Sequence, residues 1–215
     1  ISVAVTYSCP NRGDDGHGCI FCDEWGSAGV HSTMNLPLEE QISRNREFLA
    51  RRYRVNKFLV YFQAFSNTYN QVEALKTQMN LALAQPLVNG LIIGTRPDCL
   101  PQEALDLFAE FAEKHFVSVE LGIQTFYDDQ LLFLKRGHTA AQSIDAICEL
   151  RRQTNVHTGI HLIFGLPGET DADIIRTAEI INDLPVDSVK LHNLHVLKNT
   201  PLEIEYSRGL FQPLD

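Results

Sequence analysis

Six short runs rich in β-branched and aromatic residues alternate with longer segments of helical character, and this alternation restricts the possible folds more than any other feature of the chain. The short runs are Ser2–Thr6, Lys57–Gln63, Gly90–Thr95, Val117–Gln124, Val156–Phe164 and Ser188–Val196. Between them lie Leu38–Tyr53, Gln71–Ala84, Gln102–His115, Ala140–Gln153 and Asp171–Leu184. Leu105, Phe108, Ala109 and Ala112 recur at the i, i+3, i+4, i+7 spacing of an amphipathic helix. Pro37, Pro101 and Pro185, with Gly90 and Asp171, fall at the boundaries. Strand, helix, strand in repetition means parallel strands joined by right-handed crossovers.

A doubly wound sheet and an arc of a (β/α) barrel both satisfy that pattern, and the alternation inside each strand separates them. In Val117–Gln124, Val119, Leu121 and Ile123 face one way, while Ser118, Glu120, Gly122 and Gln124 face the other. Lys57–Gln63 likewise sets Tyr61 and Gln63 opposite Phe58, Val60 and Phe62. A doubly wound sheet is covered by helices on both faces, so its strands are apolar on both. A carboxylate and an amide on one face belong instead around a ligand in an open barrel interior. The expected fold is α/β: an incomplete (β/α)6 TIM-like barrel of parallel strands, one domain over residues 1–215. The chain opens directly on a strand and ends shortly after another, so it is expected to be part of a longer protein.

Cys9, Cys19 and Cys22 stand in the loop directly after the first strand. Gly13, Gly16 and Gly18 allow that loop to bend around an inorganic centre and to offer amides to its sulfides. Three thiolates can hold three irons of a [4Fe–4S] cube and leave the fourth open, whereas an electron carrier usually has four cysteine ligands. A structural zinc site of the Cys₃His kind, with His17 as fourth ligand, satisfies the same residues. The place of the loop favours the cluster, because parallel barrels gather their active sites at the C-terminal ends of the strands. The remaining two of the five cysteines, Cys99 and Cys148, stand alone, and Cys148 is expected in the core of its helix. An odd count in a chain of this size argues for reduced thiols and a cytoplasmic protein rather than a disulfide framework.

A net charge of −9 excludes a nonspecific polyanion binder. Arg44, Arg46, Arg51, Arg52, Arg54 and Lys57 form a local exception. Their alternation with Glu39, Glu40 and Glu47 reads as a solvated helix face, with a docking patch for RNA or an acidic partner as the alternative. No apolar run approaches the ~20 residues that cross a bilayer, and no signal peptide is visible.

Beyond the cysteines, the sequence resembles the radical S-adenosylmethionine superfamily over nearly its whole length, most of all the YhcC-type proteins and the radical domain of the elongator catalytic subunit. The superfamily's usual CxxxCxxC triplet is widened here to nine residues between Cys9 and Cys19, as in these two groups. The resemblance implies a [4Fe–4S] cluster on Cys9, Cys19 and Cys22, with Phe21 beside the adenine of S-adenosyl-L-methionine. Tyr61–Thr68 stands where the family has its glycine-rich "GGE" turn. Those glycines and the glutamate are absent, which leaves backbone carbonyls with Ser66 or Asn67 for the methionyl ammonium. Thr95, in Thr95-Arg96-Pro97-Asp98, falls where ribose or carboxylate contacts are common. Glu120-Leu121-Gly122-Ile123-Gln124 with Arg136-Gly137-His138 closely resembles the elongator-type "ELGxQ…RGH" pattern. It implies Gln124 on the ribose hydroxyls and Arg136 on the methionyl carboxylate, a guanidinium being suited to bidentate pairing, with Glu120 also among the cofactor-binding residues. The alternative is that Glu120 and Arg136 pair with each other to brace the rim.

His161-Leu162-Ile163-Phe164-Gly165-Leu166-Pro167-Gly168 resembles the adenine-reading fifth-strand motif, with Ile163 and Gly165 at contact positions and His161 where relatives often carry Asp or Gly. Lys190, His192, Asn193 and His195 on the last strand are candidates for substrate binding or proton transfer. What the resemblance implies is reductive cleavage of S-adenosylmethionine to a 5′-deoxyadenosyl radical that abstracts hydrogen from a substrate. It also implies an external one-electron reductant of flavodoxin or ferredoxin type. RNA is a possible substrate class that the net charge does not support. The non-enzymatic alternative is a metal- or Fe–S-stabilised binding or electron-transfer module.

Overall fold

The computed structural model describes residues 1–5, 9–12, 18–26, 35–69 and 72–213. Six strands form one sheet in chain order: β1 (Ser2–Val3), β2 (Phe58–Phe62), β3 (Val88–Thr95), β4 (Phe116–Gln124), β5 (His157–Phe164) and β6 (Ser188–Asn193). Every neighbouring pair is parallel. The crossovers carry α1 (Leu38–Tyr53), α2 (Val72–Leu83), α3 (Gln102–Ala112), α4 (Asp128–Phe133), α5 (Ala140–Gln153) and α6 (Asp171–Asn182), and α7 (Pro201–Ser207) follows β6. The result is the expected incomplete TIM-like barrel, an arc with helices between its strands.

Strand parity decides what goes where. Val60, Phe62, Leu91, Ile93, Val117, Val119, Leu121, Ile123, Ile160 and Leu162 are buried in one continuous core. The helices meet it with Ile42, Leu75, Met79, Leu105, Phe108, Ile147 and Leu150. Ala109 and Ala112, the rest of the stripe read from the sequence, lie at the margin, and Ala104, Leu107 and Phe111 take the deeper places. Capping boxes close the starts of α5 and α6: Thr139 with Gln142, and Thr170 with Asp173, satisfy otherwise orphaned amides. Asp171 opens α6 as expected, with Thr170 as its cap.

β1 has only two residues of sheet pairing, and a side chain extends its hold. Gln41 of α1, buried to 2% exposure, accepts from the Ala4 N–H at 3.0 Å and donates to the Ala4 carbonyl at 2.9 Å and the Leu36 carbonyl at 2.9 Å. It fastens the end of the strand that leads to the cysteines.

Three expectations are corrected. β6 stops at Asn193 rather than Val196, because the chain leaves the sheet before the backbone of His195. Helices α4 and α7, of six and seven residues, were not expected; so short a helix shows no full apolar period. Cys148 is exposed, since Ile147 and Leu150 define the inner face of α5 and the next position along turns outward. The basic run lies on the exposed face of α1 and just beyond it, with Arg44–Glu40 at 2.5 Å and Arg51–Glu47 at 3.4 Å as i, i+4 pairs. The last residue expected of the first strand, Thr6, lies outside the described residues, as do Gln71, Gly13, Gly16 and His17.

Gln41→Ala strips partners from two buried backbone groups at roughly 1–3 kcal/mol each. A loss of about 3 kcal/mol in denaturant unfolding is expected, and a loss below about 1 kcal/mol would contradict the role given to Gln41.

Candidate active site

The C-terminal halves of the strands surround a cavity of about 440 Å³. The inward parity supplies most of its wall: Tyr61 and Gln63 from β2 and its end, Gly94 from β3, Glu120, Gly122 and Gln124 from β4, His161 and Ile163 from β5, and Lys190 and His192 from β6; Thr95, of the opposite parity, borders it at the end of β3. Cys9, Cys19, Phe21 and Cys22 line the same space from the loop after β1. Residues far apart in sequence are thus brought together because every strand points the same way.

The cysteine loop is clasped at two points. The Ile20 N–H donates to the Leu134 carbonyl at 3.1 Å, and the Leu202 N–H donates to the Ile20 carbonyl at 2.9 Å. Ile20 also packs with Leu134, Ile163, Leu166, Leu194, Leu202 and Phe211 in a small core separate from the main one. A third tie is the hydrogen bond from Asn11 Nδ2 to the Lys135 carbonyl. Three donors reach the thiols: Arg136 Nη1 to Cys19 Sγ at 3.0 Å, Asn11 Nδ2 to Cys19 Sγ at 3.2 Å, and Arg12 Nη2 to Cys22 Sγ at 3.3 Å. Burial pushes the Cys19 thiol up, but the Arg136 charge and hydrogen bond, with help from Arg96 and Asn11, outweigh it and hold the group below the ordinary thiol value. Among the described residues, no three of His, Cys, Asp or Glu converge on the position of a single ion.

In the same cavity Glu120 is the centre of a polar network. Its Oε2 lies 2.6 Å from His161 Nε2 and 3.1 Å from Lys190 Nζ. Tyr61 OH lies 3.4 Å from the same His161 nitrogen, and Lys190 Nζ stands 4.7 Å above the Tyr61 ring. Register explains the reach. Glu120 pairs with Gly159, and a Cβ there would meet Glu120 Cγ at 3.1 Å. The absence of that Cβ leaves Glu120 free to lean across β5 toward β6. Burial raises the Glu120 carboxyl, but hydrogen bonds from His161 and Tyr61 and the charges of His161 and Lys190 bring it down to about 2. The same burial and the neighbouring carboxylate push the Tyr61 hydroxyl well up. Burial, with His161, Lys190 and His195 nearby, lowers His192. Glu120 does not pair with Arg136, so the bracing alternative is replaced by this network.

Gln124 ends β4 in a left-handed conformation, φ 71°, at a break in the β4–β5 register. A side chain at Gly122 would stand 2.8 Å from Gln124 Nε2, so the glycine makes the space the amide occupies. A non-glycine residue in this region is costly and clusters at functional sites. Thr95, Phe21 and Ile163 also line the cavity. Ser66 and Asn67 do not. Ser66 is fully buried against Thr95 Oγ1 at 3.0 Å, and Asn67 Nδ2 donates to the carbonyls of Phe62, Ala64 and Gly94. They brace the turn after β2 from behind rather than presenting their side chains to a ligand. Gly165, with φ 83°, lies off the cavity wall and donates its N–H to Glu169 Oε2 at 2.7 Å. Asn11 and Arg12 were missed by sequence reasoning; their adjacency to Cys9 was the only signal.

This geometry belongs to a known class. The Radical SAM superfamily model matches residues 3–181, and the chain belongs to that superfamily. Its members use a [4Fe–4S] cluster and S-adenosylmethionine. The chain is 36% identical to protein YhcC of Escherichia coli over 206 residues, 94% of this chain and 65% of that protein. It is 32% identical to a tRNA uridine(34) acetyltransferase of Methanocaldococcus jannaschii over 126 residues, 57% of this chain and 23% of that protein. Among solved structures, coproporphyrinogen III oxidase (HemN) of Escherichia coli superposes with a TM-score of 0.63 at 16% identity, over 100% of this chain and 48% of that one, which is a likeness of fold. The chain spans 63–66% of the length of the first curated relatives it matches. The donor set suits the cofactor: three thiols line the cavity, one of them held below the ordinary thiol value, with N–H donors directed at sulfur.

With its carboxyl at about 2 against an ordinary value of 4.5, Glu120 contributes stability that is complete above pH 4.5 and is lost as pH falls toward 2. Glu120→Gln is expected to lower the melting temperature at neutral pH and to flatten its decline across that acid window. Thermal unfolding followed through the window checks this, and an unaltered acid limb would count against the network.

Proposed function

We propose that the chain is the S-adenosylmethionine-cleaving core of a radical enzyme, with a [4Fe–4S] cluster on Cys9, Cys19 and Cys22. The observation that carries this reading is the convergence on one cavity of the three cysteines with Phe21, Thr95, Gln124, Arg136 and Ile163. A cube binds each thiolate through a different iron, so three ligands spread around a cavity mouth suit it better than ligands crowding one ion. When bound, the reduced cluster and S-adenosylmethionine supply a 5′-deoxyadenosyl radical for hydrogen abstraction.

The protein's part is to hold, orient and exclude water. Gln124 offers an amide to the ribose diol, with Thr95 beside it. Phe21 and Ile163 supply apolar contact for the adenine, and the backbone at Gly165 shapes the turn next to them. The carbonyls after β2 serve the methionyl ammonium without the side chains of Ser66 and Asn67. Glu120 and His161, given to the cofactor by resemblance, belong in this reading to the substrate wall, where Lys190 and His192 join them. The Ile20 clasp closes the cysteine loop over the cavity.

An external one-electron reductant of flavodoxin or ferredoxin type completes the activity, and a cytoplasmic location suits both it and the reduced thiols. RNA is the substrate class supported by the likeness to a tRNA uridine(34) acetyltransferase, with the net charge of −9 against it. The second reading, a metal- or cluster-stabilised module that does not cleave S-adenosylmethionine, draws on the turn after β2, which lacks the family's glycines and glutamate.

Anaerobic reconstitution, chemical reduction and addition of S-adenosylmethionine separate the two. The enzyme reading expects 5′-deoxyadenosine, abolished in Cys22→Ser; a fully loaded wild type that makes none sinks it, and stoichiometric zinc in anaerobically prepared protein favours the module. Gln124→Ala is expected to weaken S-adenosylmethionine binding about tenfold, two hydrogen bonds contributing roughly 0.5–1.5 kcal/mol each. Equilibrium dialysis on loaded protein measures it.

A further inference from the structure

Arg136 was assigned by resemblance to the methionyl carboxylate, yet its guanidinium is held against the protein. Nη1 donates to Cys19 Sγ at 3.0 Å and Nη2 to the Gly122 carbonyl at 2.6 Å. The residue is 6% exposed and Cys19 4%. A carboxylate on the Nη1–Nη2 edge would have to compete with both acceptors, and one on the Nε–Nη2 edge with the Gly122 carbonyl, since Nε is buried without a partner.

The surroundings fix this position from behind. Lys135 and Gly137, on either side, have left-handed backbones, φ 53° and 70°. The Arg136 carbonyl accepts from Arg96 Nη2 at 2.5 Å. Arg96 is itself gripped by Asp98 through two hydrogen bonds, at 2.8 and 2.7 Å. A bidentate ion pair, a cation on a carbonyl and a tight turn together aim one guanidinium at one sulfur.

We propose that Arg136 is a hydrogen-bond donor to the cluster-ligating thiolate of Cys19 and thereby sets the reduction potential of the cluster. The inference rests on the cluster reading above. Reduction adds one electron whose charge is shared with the ligand sulfurs. A cationic donor at a sulfur stabilises the reduced form more than the oxidised one and raises the potential. The low exposure of both partners enlarges the effect, since little water screens it. A donor here eases the entry of the electron that the proposed chemistry requires.

The test is an EPR-monitored redox titration of the anaerobically reconstituted protein, without S-adenosylmethionine, in wild type, Arg136→Gln and Arg136→Lys. Both variants are expected to shift to a more negative midpoint, the glutamine further because it loses the charge as well as the forked donor. An unchanged midpoint in a variant with full iron and sulfide content overturns the proposal. So does an unchanged midpoint accompanied by weaker S-adenosylmethionine binding, the behaviour of a carboxylate clamp. If the glutamine variant does not retain its cluster, the lysine variant carries the same outcomes. A wild type that takes up no [4Fe–4S] cluster overturns the parent reading as well, and its iron and sulfide content reveals this before any potential is measured.

Discussion

Parallel strands with a two-residue side-chain period are the constraint on which the rest of this molecule depends. All ends of one polarity fall on one rim, and alternate residues of β1 to β5 are committed to the outer core, while Val189 and Leu191 of β6 stay exposed. The other residues can then be polar only if the arc leaves room inside. Val119, Leu121 and Ile123 secure β4 to the helices, and this lets Glu120, Gly122 and Gln124 face a cavity without loss of the sheet. Stability and chemistry are divided by parity rather than by region.

Two glycines show how finely that division is made. Gly122 yields its side-chain volume to the Gln124 amide, and Gly159 yields its own to the stem of Glu120. Each is a packing position emptied so that a polar neighbour on the same or the adjacent strand can reach further. The left-handed Gln124, at the break in the β4–β5 ladder, extends the same logic to the backbone. An alanine at either glycine would fit the strand pattern well and would disturb the cavity.

The parts legible in the sequence were those governed by period. Alternation in β2 and β4 placed Tyr61, Gln63, Glu120 and Gln124 inside and their neighbours outside, and this is how they lie. What was not legible depends on lateral register and on loops. That Glu120 meets His161 and Lys190 rather than Arg136 follows from its pairing with Gly159 and from the pairing of His161 with Lys190, relations a single strand does not encode. Ser66 and Asn67 lie beyond the end of β2, where alternation no longer says which way a side chain points, and both turned into the protein. Cys148 was misplaced because an apolar residue beside a helical stripe resembles one within it.

The cavity also has an electrical order. Arg12, Arg96 and Arg136 line the cavity with the cysteines, and Glu120 forms a separate network with His161 and Lys190, His192 beside them. In a chain of net charge −9, three guanidiniums beside three thiols are a local reversal of sign. Such a reversal favours the charged form of Cys19 against its burial. The Glu120 network is balanced within itself, carboxylate against ammonium and imidazole, so it presents hydrogen-bonding groups rather than net charge. The cavity thus offers cations to its thiols, while the Glu120 carboxylate is answered by partners of its own, so neither charge is left to be met by water alone.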